Sequence, residues 1–141
     1  MKISAEAVID GTLDTVWEVA TDVAGWPMWD PHEEGARLDG PFQVGAAGWS
    51  KPRKGPAADW VLTAVEPKAL WASESGIPGG KIAGESTFAV GAPGTVTCTK
   101  TVTVSGTLVP LFWLYFKRPV QHDLHASLQA LQNEVSRRER G

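Results

Sequence analysis

The stretch Leu108-Val109-Pro110-Leu111-Phe112-Trp113-Leu114-Tyr115-Phe116 decides the fold, together with Val120, Leu124, Leu128, Leu131 and Val135, which follow Pro119. This second set advances in steps of three and four, which puts all five side chains on one stripe of a helix. The spacing predicts one long helix from about Thr107 to Arg140. A helix with a single apolar stripe needs a broad complementary surface to cover it. The residues before it read as strands, so the expected cover is a sheet wrapped around the helix.

Immediately upstream, Thr95 to Ser105 alternates threonine at odd positions with Val96, Cys98, Val102 and Val104 at even ones. That is a half-buried strand with one apolar face. Further back, Ala36–Asp39, Val44–Lys51, Asp59–Glu66, Ala69–Ser75 and Lys81–Val90 read as strands. Gly40-Pro41, Lys54-Gly55-Pro56, Pro67-Lys68, Pro78-Gly79-Gly80 and Pro93-Gly94 separate them. Breakers this short imply antiparallel neighbours, since parallel ones would need crossover helices. Near the N-terminus, Ile3–Asp10 is a first strand. Thr12 then caps a helix carrying Leu13, Val16, Trp17 and Ala20, and a short helical turn covers Val23 to Trp29. The expected order is β-α-α-β-β-β-β-β-β-α in one α+β domain spanning residues 1–141.

A chain of 141 residues is long enough to bury a core without disulfides or metals, and its formal charge of −3 gives no electrostatic reason to expect nucleic-acid binding. The single cysteine suits a reducing compartment, and Met1 to Glu6 begins no apolar secretory segment, so the expectation is a cytoplasmic protein. The longest apolar run is too short to span a bilayer. Seven tryptophans are the unusual quantity, because rings that large pack cores or line ligand pockets.

The opening strand followed by Thr15-Val16-Trp17, then Thr21-Asp22, Trp26, Trp29-Asp30-Pro31, the Leu38-Asp39-Gly40 to Val44-Gly45 turn, Val65-Glu66-Pro67, Leu70-Trp71, Gly94-Thr95-Val96, Val104-Ser105-Gly106-Thr107-Leu108 and the helix around Leu128 to Glu134 form one pattern. In that pattern the chain resembles the SRPBCC superfamily, the START-like or birch-pollen-allergen-like helix-grip proteins, and within it the polyketide cyclase/dehydrase-type branch. The resemblance covers the whole chain. It implies a deep, largely apolar cavity between sheet and long helix, roofed by the two short helices and the hairpin loops. The superfamily includes carriers, aromatase/cyclases and hydrolases, so fold alone does not choose the activity.

Several residues carry possible chemistry beside plainer roles. Lys100 shares the phase of Val96 and Cys98, so an unbroken strand points it inward to hold an anionic group or act as a base. A bulge or a snorkelled head group would return it to water. His32, beside Glu33 and Glu34, is a candidate base, or part of an acidic surface loop. His122 and His125 have a metal-compatible spacing but no further ligands, which favours a solvated pair. Trp29, Trp49, Trp60, Trp71, Trp113 and Tyr115 are core residues or cavity walls. Leu108 to Phe116, followed by Lys117 and Arg118, suits a membrane surface or a dimer seam, or burial under the cavity roof. The burial reading is the preferred one. No Ser/His/Asp arrangement, paired carboxylates or activated nucleophile stands out, and Cys98 reads as a small inert hydrophobe.

These readings point to binding of a small hydrophobic molecule, aromatic, polycyclic or lipid-like, in the cavity. The expected contacts are Trp29, Trp60, Trp71, Phe88, Lys100, Leu111 and Tyr115, with His32 and Lys100 as acid–base candidates. The alternatives are an aromatase/cyclase acting on a poly-ketone chain, and a module docking on a protein, a membrane or a second copy through Leu108–Phe116. No metal, cofactor or nucleic acid is expected.

Overall fold

Threonine–valine alternation makes the strand Thr95–Gly106 (β7) the centre of the hydrogen-bonding pattern, because each of its edges finds a long partner. On one side lies Lys2–Asp10 (β1), in register from Lys2↔Thr103 to Asp10↔Thr95. On the other lies Gly80–Val90 (β6). Leu70–Ile77 (β5), Ala58–Glu66 (β4), Ala47–Pro52 (β3) and Glu33–Asp39 (β2) follow, giving a seven-stranded antiparallel sheet in the order β1-β7-β6-β5-β4-β3-β2. Proline and glycine form the tight reversals. Pro78-Gly79 joins β5 to β6 with Gly79 at φ 71°, a conformation that glycine adopts at little cost. The computed structural model describes residues 1–140.

Helix α1 (Leu13–Thr21) starts where the Thr12 hydroxyl accepts the Thr15 N–H at 3.2 Å, a side-chain cap. A 3₁₀ turn (Val23–Gly25) and the one-turn helix α2 (Trp26–Trp29) lead to β2. After β7 come α3 (Val109–Tyr115) and α4 (Lys117–Arg140). The apolar stripe of α4 packs Leu128, Leu131 and Val135 against Ile9, Val96, Cys98 and Phe88 of the sheet and Val16 and Val19 of α1. Each fully buried aliphatic side chain of this kind favours folding by about 1.5–3 kcal/mol. A second core gathers Val23, Trp60 and Leu62. The architecture is the α+β helix grip expected from the sequence, with all seven strands present.

Three expectations change. The terminal helix is not continuous but breaks at Phe116. A helix through that point would drive the Pro119 ring into the carbonyl of Tyr115, four residues back, so α4 has to start just ahead of the proline. The β2 strand begins at Glu33 rather than Ala36, which brings an acidic residue into the sheet. Most of the Leu108–Phe116 segment is not buried under a roof: Trp113 is 60% exposed, Leu114 66% and Tyr115 63%.

Candidate functional site

Between the sheet and α4, closed over by α2, lies a cavity of about 240 Å³. Its walls are apolar, with Trp29 from α2, Trp71 from β5, Phe88 from β6, and Leu124, Leu128 and Leu131 from α4. Into this lining project three ionisable side chains, Asp30, Glu33 and Lys100.

Each is set there by local structure. The Asp30 N–H donates to the Trp26 carbonyl at 2.8 Å and closes the single turn of α2. The Asp30 carboxylate accepts the His32 N–H at 2.9 Å on one oxygen and the Ser127 hydroxyl of α4 at 3.1 Å on the other. That buried bond ties the roof to the gripping helix across 97 residues of sequence. Glu33 opens β2 at a register shift against β3 between Glu33 and Gly35, which reverses the strand's phase and turns Glu33 inward while Glu34 faces out to pair with Lys51 at 2.9 Å. β7 runs without a register break past Lys100, which pairs with Ala5 on one side and Ser86 on the other. No bulge therefore rotates Lys100 away from the cavity, and it keeps the inward phase of Val96 and Cys98.

Burial raises the Glu33 carboxyl from 4.5 to about 7, with the negative charge of Asp30 adding to the effect and Lys100 opposing it. Burial lowers the pKa of Lys100, against the pull of Asp30 and Glu33. Burial likewise pushes the Cys98 thiol up to about 12, which leaves it a neutral packing residue. Glu33 Oε2 and the indole nitrogens of Trp29 and Trp71 are buried without hydrogen-bond partners. Each such orphan costs about 1–3 kcal/mol, so the cavity wall is polar strain inside an apolar shell. The arrangement offers a lysine nitrogen that donates hydrogen bonds and a carboxyl that exchanges its proton near neutral pH, both beside aromatic rings.

Of the residues singled out from the sequence, Trp29, Trp71, Phe88 and Lys100 come together on this cavity. Trp60 lies behind the wall. Its indole N–H donates to the Ser50 hydroxyl at 3.2 Å, and its ring stacks at 6.0 Å on Trp26, which stacks at 5.8 Å on Trp71. Leu111 and Tyr115 sit on the exposed α3 instead. His32 turns its Nε2 toward Asp123 of α4, 3.8 Å away. His122 and His125 are exposed, and no cluster of three metal-ligating side chains occurs among the described residues. Asp30, Glu33, Trp26 and Ser127 were not singled out as site residues from the sequence. Alternation gave no signal for Glu33, because extending β2 back from inward Ala36 and Leu38 would point Glu34 inward, and only the register shift between Glu33 and Gly35 reverses that phase.

A family model described as polyketide cyclase/dehydrase and lipid transport matches residues 1–136. The chain belongs to this family. No curated protein matches it. Among solved structures, this polyketide cyclase/dehydrase and lipid-transport family member is similar to the Zhui aromatase/cyclase from a Streptomyces species, with a TM-score of 0.76 and 16% identity over 98% of this chain and 94% of that one. A START superfamily protein from Mycobacterium smegmatis gives 0.75 and 13% over 96% and 97%. Norcoclaurine synthase from Thalictrum flavum, solved with dopamine and hydroxybenzaldehyde, gives 0.74 and 13% over 97% and 87%. At such identities the likeness concerns the fold.

Proposed function

We propose that the protein binds a small neutral molecule of one or two rings that carries a carbonyl or phenolic oxygen. The observation that carries this reading is the Asp30–Glu33–Lys100 cluster inside an otherwise apolar cavity of about 240 Å³. Size sets the body of the ligand: a dry protein cavity of about 150 Å³ accommodates benzene, so this one suits a substituted ring or a fused pair. Charge sets its polar end. Asp30 already offsets Lys100, so an added carboxylate would meet Asp30 unfavourably, whereas a carbonyl or phenol oxygen accepts from Lys100 without new charge. Trp29, Trp71 and Phe88 supply flat faces for the ring. The neighbour solved with dopamine and hydroxybenzaldehyde holds ligands of this size, which supports the reading by analogy.

The Glu33 carboxyl, poised at about 7, favours a second reading in which the bound ketone exchanges a proton at the carbon beside its carbonyl. A full poly-ketone chain exceeds the cavity, so a cyclase of this shape would act on the ring-sized end of such a substrate.

One experiment covers both readings. The protein is incubated in deuterated buffer with a panel of aromatic ketones and phenols, and retention is read by native mass spectrometry. Solvent exchange is read on the recovered ketone. Retention that Trp71→Ala weakens at least tenfold, with no exchange, supports a binding protein. Exchange that Glu33→Gln abolishes while retention survives supports the enzyme. No retention of any panel member by the wild type overturns the proposal.

A further inference from the structure

We infer that α3 and the turn after it dock on an anionic lipid surface, a role separate from the cavity. The segment is a single short helix with Trp113, Leu114 and Tyr115 each at least 60% exposed, and Leu111 and Phe116 also open to solvent. Pro119 prevents it from merging with α4, so it projects as its own element and is anchored mainly through half-buried Val109 and Phe112. Exposed aromatic and aliphatic side chains at this density mark an interaction surface rather than ordinary exterior.

Charge identifies the occupant. Lys117 and Arg118 follow directly, and no aspartate or glutamate occurs from Thr107 to His122, although the chain as a whole carries −3. The Lys117 ammonium lies 5.6 Å from the Trp113 ring centre, so cation and aromatic face share one spot. Trp113, Tyr115, Lys117 and Arg118 line a groove of about 620 Å³. Indole and phenol rings beside basic side chains match the boundary between lipid head groups and acyl chains. A second copy of the chain fits worse. In a two-fold interface the patch meets itself, which would set Lys117 and Arg118 against their own counterparts with no acid in the segment to offset them. No helix among the described residues is long and apolar enough to cross a membrane, so the segment would lie in the surface.

The test is cosedimentation of the whole protein with phosphatidylcholine vesicles, with and without phosphatidylserine, at low and high salt. Binding should require phosphatidylserine and weaken as salt rises. The double variant K117Q/R118Q should bind roughly thirtyfold less tightly, each basic residue near the surface being worth about a factor of five. Trp113→Ser should also weaken binding, with an unchanged melting temperature because the ring is already in solvent. Light scattering on the same samples reads self-association. Failure of the wild type to bind, equal binding to both compositions, or a dimer that Trp113→Ser dissolves would overturn the inference.

Discussion

Glu33 and Lys100 share one apolar cavity, and each influences the other's proton. The ammonium of Lys100 pulls the Glu33 carboxyl down, while burial and then Asp30 hold it up, for a net value of about 7. Lys100→Met removes the only one of these influences that favours the carboxylate, so the Glu33 pKa should move above about 7. Carbon-13 titration of the Glu33 side chain checks this. A value that stays put or falls would show that the lysine ammonium is turned away from the carboxyl. The position of Lys100 was legible in the sequence, since threonine and valine alternate on both sides of it. What the sequence leaves open is whether a bulge intervenes, because that depends on β1 and β6 holding their register on either side.

Strands β3 and β4 act as the backing of the cavity wall. Gly48 pairs with Trp60 across them, and a Cβ at Gly48 would run into the Trp60 ring. That ring supports Trp26, which in turn supports Trp71 at the cavity. Gly48→Ala should therefore cost about 1–3 kcal/mol, as overpacking of a filled core does, and loosen ligand retention at Trp71 as well. Urea unfolding measures the first effect, and unchanged stability would mean that the aromatic stack slides freely. The elements themselves were largely readable, because period-two patterns and Pro/Gly breakers are local signals. The helix break at Phe116 was readable in principle from Pro119, but a continuous apolar run masked it. The exposure of α3 was not readable, since hydrophobicity records what a side chain prefers and not whether a surface is there to cover it. Asp30 and Glu33 were hidden for a related reason: Pro31-His32-Glu33-Glu34 has the composition of a surface loop, and Glu33 turns inward only through the register shift between Glu33 and Gly35 at the start of β2.

At the scale of the whole molecule, carboxylates at the two ends of the grip pull stability in opposite directions with pH. Glu134, near the end of α4, is held at about 2 chiefly by hydrogen bonds from Arg137, with Arg138 adding to them. Arg138 also reaches Glu18 of α1 and Asp22 directly after that helix, which fastens α4 to the rest of the fold. Because this folded value lies below the ordinary 4.5, the contribution of Glu134 is complete above that pH and is lost as pH falls toward about 2. Glu34, bonded to Lys51, and Glu139, bonded to the Thr12 backbone, are lowered too and act in the same sense. Glu33 does the reverse. Its folded value of about 7 exceeds 4.5, so its contribution is complete below 4.5 and is lost as pH rises through about 7. The contributions of these carboxylates are thus together greatest near pH 5, declining steeply in acid and more gently toward neutrality, while Lys100, whose pKa burial lowers, acts in the opposite sense as pH rises. Glu33→Gln should keep the acid decline and lose the neutral one, gaining on the wild type by about 1–2 kcal/mol between pH 5 and pH 8 once partial solvent screening is allowed for. Unfolding free energies of both proteins across this range decide it. Parallel profiles would show that Glu33 ionises as an ordinary surface carboxylate and that the cavity admits water freely.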